Sequence, residues 1–128
     1  MKIITENDIS YKIRGAIFDV YNHFGPGLFE SVYKQALVIH FIEQGLIVEQ
    51  EVGIPATFHE KDLGLGFRMD LFVEKKVIIE VKSIKLLANV HHKQLLTYLK
   101  LTGLKLGILV NFNTNDLNKS IIRLVNNL

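Results

Sequence analysis

Cysteine and tryptophan are absent from the 128 residues, and proline and methionine occur only twice each. Without cysteine there is no disulfide, no thiolate zinc or iron–sulfur site and no cysteine nucleophile. No apolar run approaches the roughly 18 residues that a membrane-crossing helix needs, so no membrane partner is expected. The opening segment contains Glu6 and Asp8, acids that do not suit a secretory signal, and a cytoplasmic location is the expectation. A strong charge of one sign is also lacking, since the formal net charge is only +2. Its distribution is uneven: residues 1–64 hold 5 Lys/Arg against 9 Asp/Glu, residues 65–128 hold 10 against 4. The second half can therefore offer a basic face to a polyanion, the alternative being a mixed, solvated surface.

What is present describes an ordinary globular chain. Apolar residues make up 48% and charged residues 22%, enough of the first to bury a core and too few of the second for disorder. The length fits one domain spanning 1–128. For any self-association, a two-fold homodimer is the default expectation.

Ile9, Ile13, Ile17, Val20 and Phe24 recur at helical spacing behind Asp8 or Ser10 as cap, and Gly25-Pro26-Gly27 stops that helix. A second helix is expected from about Leu28 to Gln44, closed by Gly45. From Leu46 to about Phe58 the residues favour a strand, with Pro55 placing part of it at a sheet edge. After a turn-like 59–64, Phe67 to Val73 and Val77 to Lys82 read as two further strands of an antiparallel meander. Leu86 to about Thr102 has helical periodicity, and Leu106 to Phe112 is a buried strand. A short last helix carrying Ile121, Ile122 and Val125 completes the order ααβββαβα.

The chemically informative residues are Arg68-Met69-Asp70 and Glu80-Val81-Lys82. Glu80 and Lys82 share a face of their strand. If Glu74-Lys75-Lys76 is a three-residue connection, antiparallel pairing sets Asp70 opposite Glu80, with Cβ atoms about 5 Å apart; a two-residue connection puts them on opposite faces. Two carboxylates can hold a hard cation through oxygen, and a lysine beside them can orient water and offset phosphate charge. Such patterns also occur on solvent-facing hairpins. Glu30 stands at a helix start, where compensation of the helix dipole is the simpler role, with Tyr33 one turn on. Gln94 and Tyr98, four apart on a helix, can reach a strand backbone or brace the lysine. His91-His92 diverge on a helix with no further ligand at a recognised spacing, which favours exposure or packing beside the active face. Gly64-x-Gly66 reads as strand punctuation.

These residues carry a resemblance. Gly27-x-x-Glu30-x-x-Tyr33 is similar to the motif of the GxxExxY proteins, a family within the PD-(D/E)XK nuclease superfamily. Gly25 to Tyr33, Arg68-Met69-Asp70, Ile79 to Lys82, Gln94 to Lys100 and Gly107 to Phe112 resemble family blocks in family order. Tyr21 stands where many members carry histidine. The resemblance implies an α/β (α+β) fold with a restriction-endonuclease-like αβββαβ core, a mixed central sheet flanked by helices. It implies Mg²⁺ or Mn²⁺ held by Asp70 and Glu80 with Glu30 as third acid, and Lys82 as catalytic lysine. Gln94-x-x-x-Tyr98 is similar to a motif of RecB-like nucleases that engages the DNA strand, and Tyr33 and Arg68 are assigned to substrate with it. The expected activity is metal-dependent hydrolysis of phosphodiester bonds, with DNA ahead of RNA as partner. The alternative is a catalytically silent nuclease-like domain that binds nucleic acid or protein.

Overall fold

In the computed structural model the described residues are 4–128. Met1–Ile3, part of the opening read above as unlike a secretory signal, lies outside them. Helix α1 spans Glu6–Phe24, and Thr5, rather than Asp8 or Ser10, is its cap. The Thr5 hydroxyl accepts the Asp8 N–H while the Asp8 carboxylate accepts the Thr5 N–H, both at 3.2 Å, a reciprocal arrangement that satisfies two end donors. Helix α2 covers Glu30–Glu43. The strands β1 (Val48–Phe58), β2 (Lys61–Val73) and β3 (Val77–Lys82) form the expected antiparallel meander. Helix α3 (Asn89–Thr102) then crosses to β4 (Leu106–Asn111), which pairs parallel with β3. The result is one mixed five-stranded sheet in chain order, an α+β fold consistent with a restriction-endonuclease-like core.

The C-terminal segment departs from expectation. A single 3₁₀ turn, Leu117–Ser120, is followed by strand β5 (Ile121–Val125), antiparallel to β4. Ile121, Ile122 and Val125 fit helical spacing, but their β-branched side chains suit a pleated surface, and the free edge of β4 supplies the hydrogen-bond partners.

Helices α1 and α2 cover one sheet face and α3 the other. Ile9, Ile13, Ile17, Leu37 and Phe41 pack with Val77, Ile79, Val81, Ile108 and Val110 in one core. Leu95, Tyr98 and Leu99 pack with Ile78 and Leu109 in a second. Because both faces are covered, β4 is buried at every position, as its apolar run requires. The β1–β2 ribbon changes sides within its length. Val48, Leu71 and Val73 belong to the α1–α2 core, while Val52, Ile54 and Met69 belong to the α3 core. The swivel falls where Glu51 takes φ 54°, between the pairs Gln50↔Leu71 and Val52↔Met69. Asp70 is the residue of β2 at that point.

Candidate active site

Three pairs, Val73↔Val77, Phe72↔Ile78 and Leu71↔Ile79, join β2 to β3 across the Glu74-Lys75-Lys76 connection. The next pair in this register would be Asp70 with Glu80, as the hairpin arithmetic anticipates. There the ladder stops and the strands part. The Asp70 carboxylate takes over, its Oδ2 accepting the Val81 N–H at 2.8 Å. The side chain thus stands in for the carbonyl that a straight β2 would have offered, and holds a carboxylate at the opening between two strands.

Glu80 alternates with Val81 along β3, so it shares the α3 side with Ile78 and Lys82. It is 6% exposed, and its Oε1 is buried without a hydrogen-bond partner among the described residues. Burial first, then the Asp70 charge and hydrogen bonding between the two carboxyls, push the Glu80 pKa up to about 9, with Lys82 acting weakly the other way. The neighbouring Tyr98 hydroxyl is also raised, by burial and then by the charges of Glu80 and Asp70. A carboxyl pair that holds a proton because it is buried and the two charges repel fits a hard divalent cation, which would take the place of that proton. Its donors are all oxygen, which suits Mg²⁺ or Mn²⁺.

Lys82, Gln94 and Tyr98 come together with Phe67, His91 and Lys93 around an open groove of about 560 Å³ on the α3 side. Arg68 is exposed on β2 and lines a separate cleft with Pro55 and Gly66. Glu30 lies elsewhere in the hydrogen-bond network. Its Oε2 accepts the Ser83 N–H at 3.1 Å, and the Ser83 hydroxyl donates to the Leu28 carbonyl, so the pair fastens the chain just past Lys82 to the start of α2. Among the described residues no three His, Asp or Glu side chains converge on one point. Asp70 and Glu80 are thus gathered without Glu30.

The structure corrects the expected role of Tyr33. It is fully buried and stacks on Phe112 with centroids 4.2 Å apart. Its hydroxyl donates to the Gly25 carbonyl at 2.6 Å and accepts the Leu28 N–H at 3.1 Å. Both hydrogen-bonding capacities are spent on the Gly-Pro-Gly turn, which leaves Tyr33 no surface for a substrate.

Two contributors were not evident from sequence. Ser83 follows the Glu-x-Lys segment with nothing to distinguish it from a loop serine. Phe67 read only as the start of a strand. His91 packs beside the groove, its Nδ1 accepting the Ala88 N–H at 2.9 Å, while the His92 Nδ1 lies 3.2 Å from the Ala88 carbonyl. The two rings serve the start of α3 rather than a metal.

A family model described as the PD-(D/E)XK nuclease superfamily matches residues 7–124, which takes in every helix and strand around these carboxylates. The chain belongs to the PD-(D/E)XK nuclease superfamily. Nucleases of this superfamily generally use divalent metals, in keeping with the unpartnered oxygen of Glu80. No curated protein and no solved structure matches the chain. No helix among the described residues is long and apolar enough to cross a membrane.

Proposed function

We propose that this nuclease-like domain hydrolyses phosphodiester bonds of nucleic acid, DNA ahead of RNA, with Mg²⁺ or Mn²⁺ held by Asp70 and Glu80. The observation that carries the reading is the buried Glu80 oxygen, unpartnered and coupled to Asp70, on the strand that also presents Lys82 to the groove. When bound, the ion supplies Lewis-acid polarisation of a phosphoryl oxygen and eases deprotonation of the attacking water. Asp70 contributes an oxygen already fixed by its bond to the Val81 N–H, so the ligand is oriented in advance. Lys82, on the same side of β3 as Glu80, orients the water and offsets charge that grows on the phosphate. Gln94 and Tyr98 line the groove from α3 and hold the strand against β3. The basic excess of residues 65–128 makes phosphate the main point of contact, and no base-reading motif is present in the sequence.

Two substitutions separate the roles. Asp70→Ala should weaken Mn²⁺ binding in calorimetric titration and abolish cleavage of a mixed DNA and RNA panel together. Lys82→Ala should leave Mn²⁺ binding intact or tighter, since a nearby positive charge is gone, while cleavage falls by about two orders of magnitude or more. A Lys82→Ala protein that cleaves like wild type would sink the mechanism. Wild type that binds Mn²⁺ but cleaves nothing in the panel would turn the reading to a silent binding module.

A further inference from the structure

We infer that the substrate entering this groove is a single nucleic-acid strand, and that Phe67 is the platform on which one of its bases stacks; the inference rests on the nuclease reading above. Phe67 lies three residues before Asp70 on β2 and is 38% exposed. Its ring centroid is 5.4 Å from that of Tyr98, with the planes inclined at 47°. Tyr98 in turn feels the charges of Glu80 and Asp70 at its hydroxyl end. Tyr98 thus stands beside Phe67 and within the electrostatic reach of the carboxylates, and Phe67 carries the aromatic surface outward.

Phe67 is also a divide. It lines the 560 Å³ groove on one side and, on the other, the cleft of about 380 Å³ that contains Arg68 and Pro55. Lys82 and Lys93 stand in the groove and Arg68 in the cleft, so cations flank an aromatic ridge on both sides. Phosphates settling on those cations would carry their strand across the ridge, where the intervening base meets the exposed part of the ring. Stacking on an aromatic side chain is available to any base, because every base has a π-face. In a duplex the faces of each base are already covered by its neighbours, and a lone ring gains nothing unless a base leaves the stack. The geometry thus favours a strand whose bases are free.

The test measures binding of the full chain in EDTA, so that nothing is cleaved, to three fluorescein-labelled probes of equal length. These are an oligothymidylate, a duplex, and an abasic oligomer with the same phosphates. Wild type should bind oligothymidylate about tenfold more tightly than either of the others, the equivalent of one base stack. Phe67→Ala should remove that advantage and leave the abasic affinity unchanged, while Phe67→Tyr should keep it. The side chain is partly exposed, and a melting curve for each variant checks that the domain is folded. Equal affinity for oligothymidylate and the abasic oligomer, tighter binding of the duplex, or a loss in Phe67→Ala that is the same for all three probes would overturn the inference while leaving the nuclease reading standing. Absence of binding to every probe would overturn the inference, while the nuclease reading stands or falls separately on the cleavage panel.

Discussion

A carboxyl raised to about 9 is protonated at neutral pH, so a cation that binds Glu80 has to displace a proton. Mn²⁺ affinity should therefore rise with pH, about tenfold per unit between roughly pH 6 and 9. Calorimetry in buffers of different ionisation enthalpy would show close to one proton released per ion at pH 7. A pH-independent affinity would place the proton elsewhere. The same group acts on metal-free stability in the opposite sense. The folded protein holds a proton that the unfolded chain gives up near 4.5. Glu80's favourable share is then complete below about pH 4.5 and is lost as pH climbs toward 9. Melting curves of the metal-free chain should fall across that window, and Glu80→Gln, which keeps the shape of the neutral acid, should flatten them. The register that brings Asp70 level with Glu80 was legible in the sequence because it follows from the length of one short connection, whereas the parting of the strands after Leu71↔Ile79 was not. Tyr33 was not, since helical spacing says nothing about where a hydroxyl finds partners, and both of its partners come from the turn before α2.

Helix α2 begins with a side chain whose duty depends on what lies across from it. Glu30 accepts the Ser83 N–H, so a neutral amide of the same shape can still accept it, whereas loss of the side chain cannot be compensated. Glu30→Gln should retain most cleavage, and Glu30→Ala should lower the melting temperature and slow turnover by loosening the segment that follows Lys82. The residue is exposed, and the stability cost should stay near 1 kcal/mol or below. If Glu30→Gln abolished both Mn²⁺ binding and cleavage, Glu30 would be a ligand after all, and the contact with Ser83 incidental. The seven elements up to β4 were readable from periodicity and from Gly and Pro punctuation, with most boundaries displaced by a few residues. The exception is β2, which begins at Lys61 rather than Phe67, so most of the expected turn 59–64 is strand paired with the end of β1. Strand β5 was hidden because Ile121, Ile122 and Val125 satisfy a helical pattern too, and the choice was made by the open edge of β4, which lies many residues earlier in the chain. The swivel of β1 and β2 at Glu51 and Asp70 was equally hidden. Met69, Leu71 and Val73 stand at alternate positions as on one face of a strand, and only the presence of separate cores on the two faces shows that the ribbon rolls between them.

Across the whole molecule, protection should follow distance from the sheet edges. β4 is buried throughout and paired on both sides, whereas the outer half of the β1–β2 ribbon has no neighbour beyond β1. Amide exchange should be slowest at Ile108, Leu109 and Val110 and fast from Ala56 to Gly64. Exchange at Ile108–Val110 that matched the ribbon tip would contradict a single cooperative centre. Strand β1 also has a second property that bears on the chain's life at high concentration. An unpaired edge is a template on which another copy can add its own strand, the first step toward fibres. Here the template is broken three times: by the left-handed backbone at Glu51, by Pro55, which has no N–H to offer, and by the shift of register between Pro55 and Thr57. The irregularities that roll the ribbon toward the groove thereby also leave no continuous row of donors and acceptors along its outer side, and the longest exposed edge of the sheet is a poor seed for aggregation.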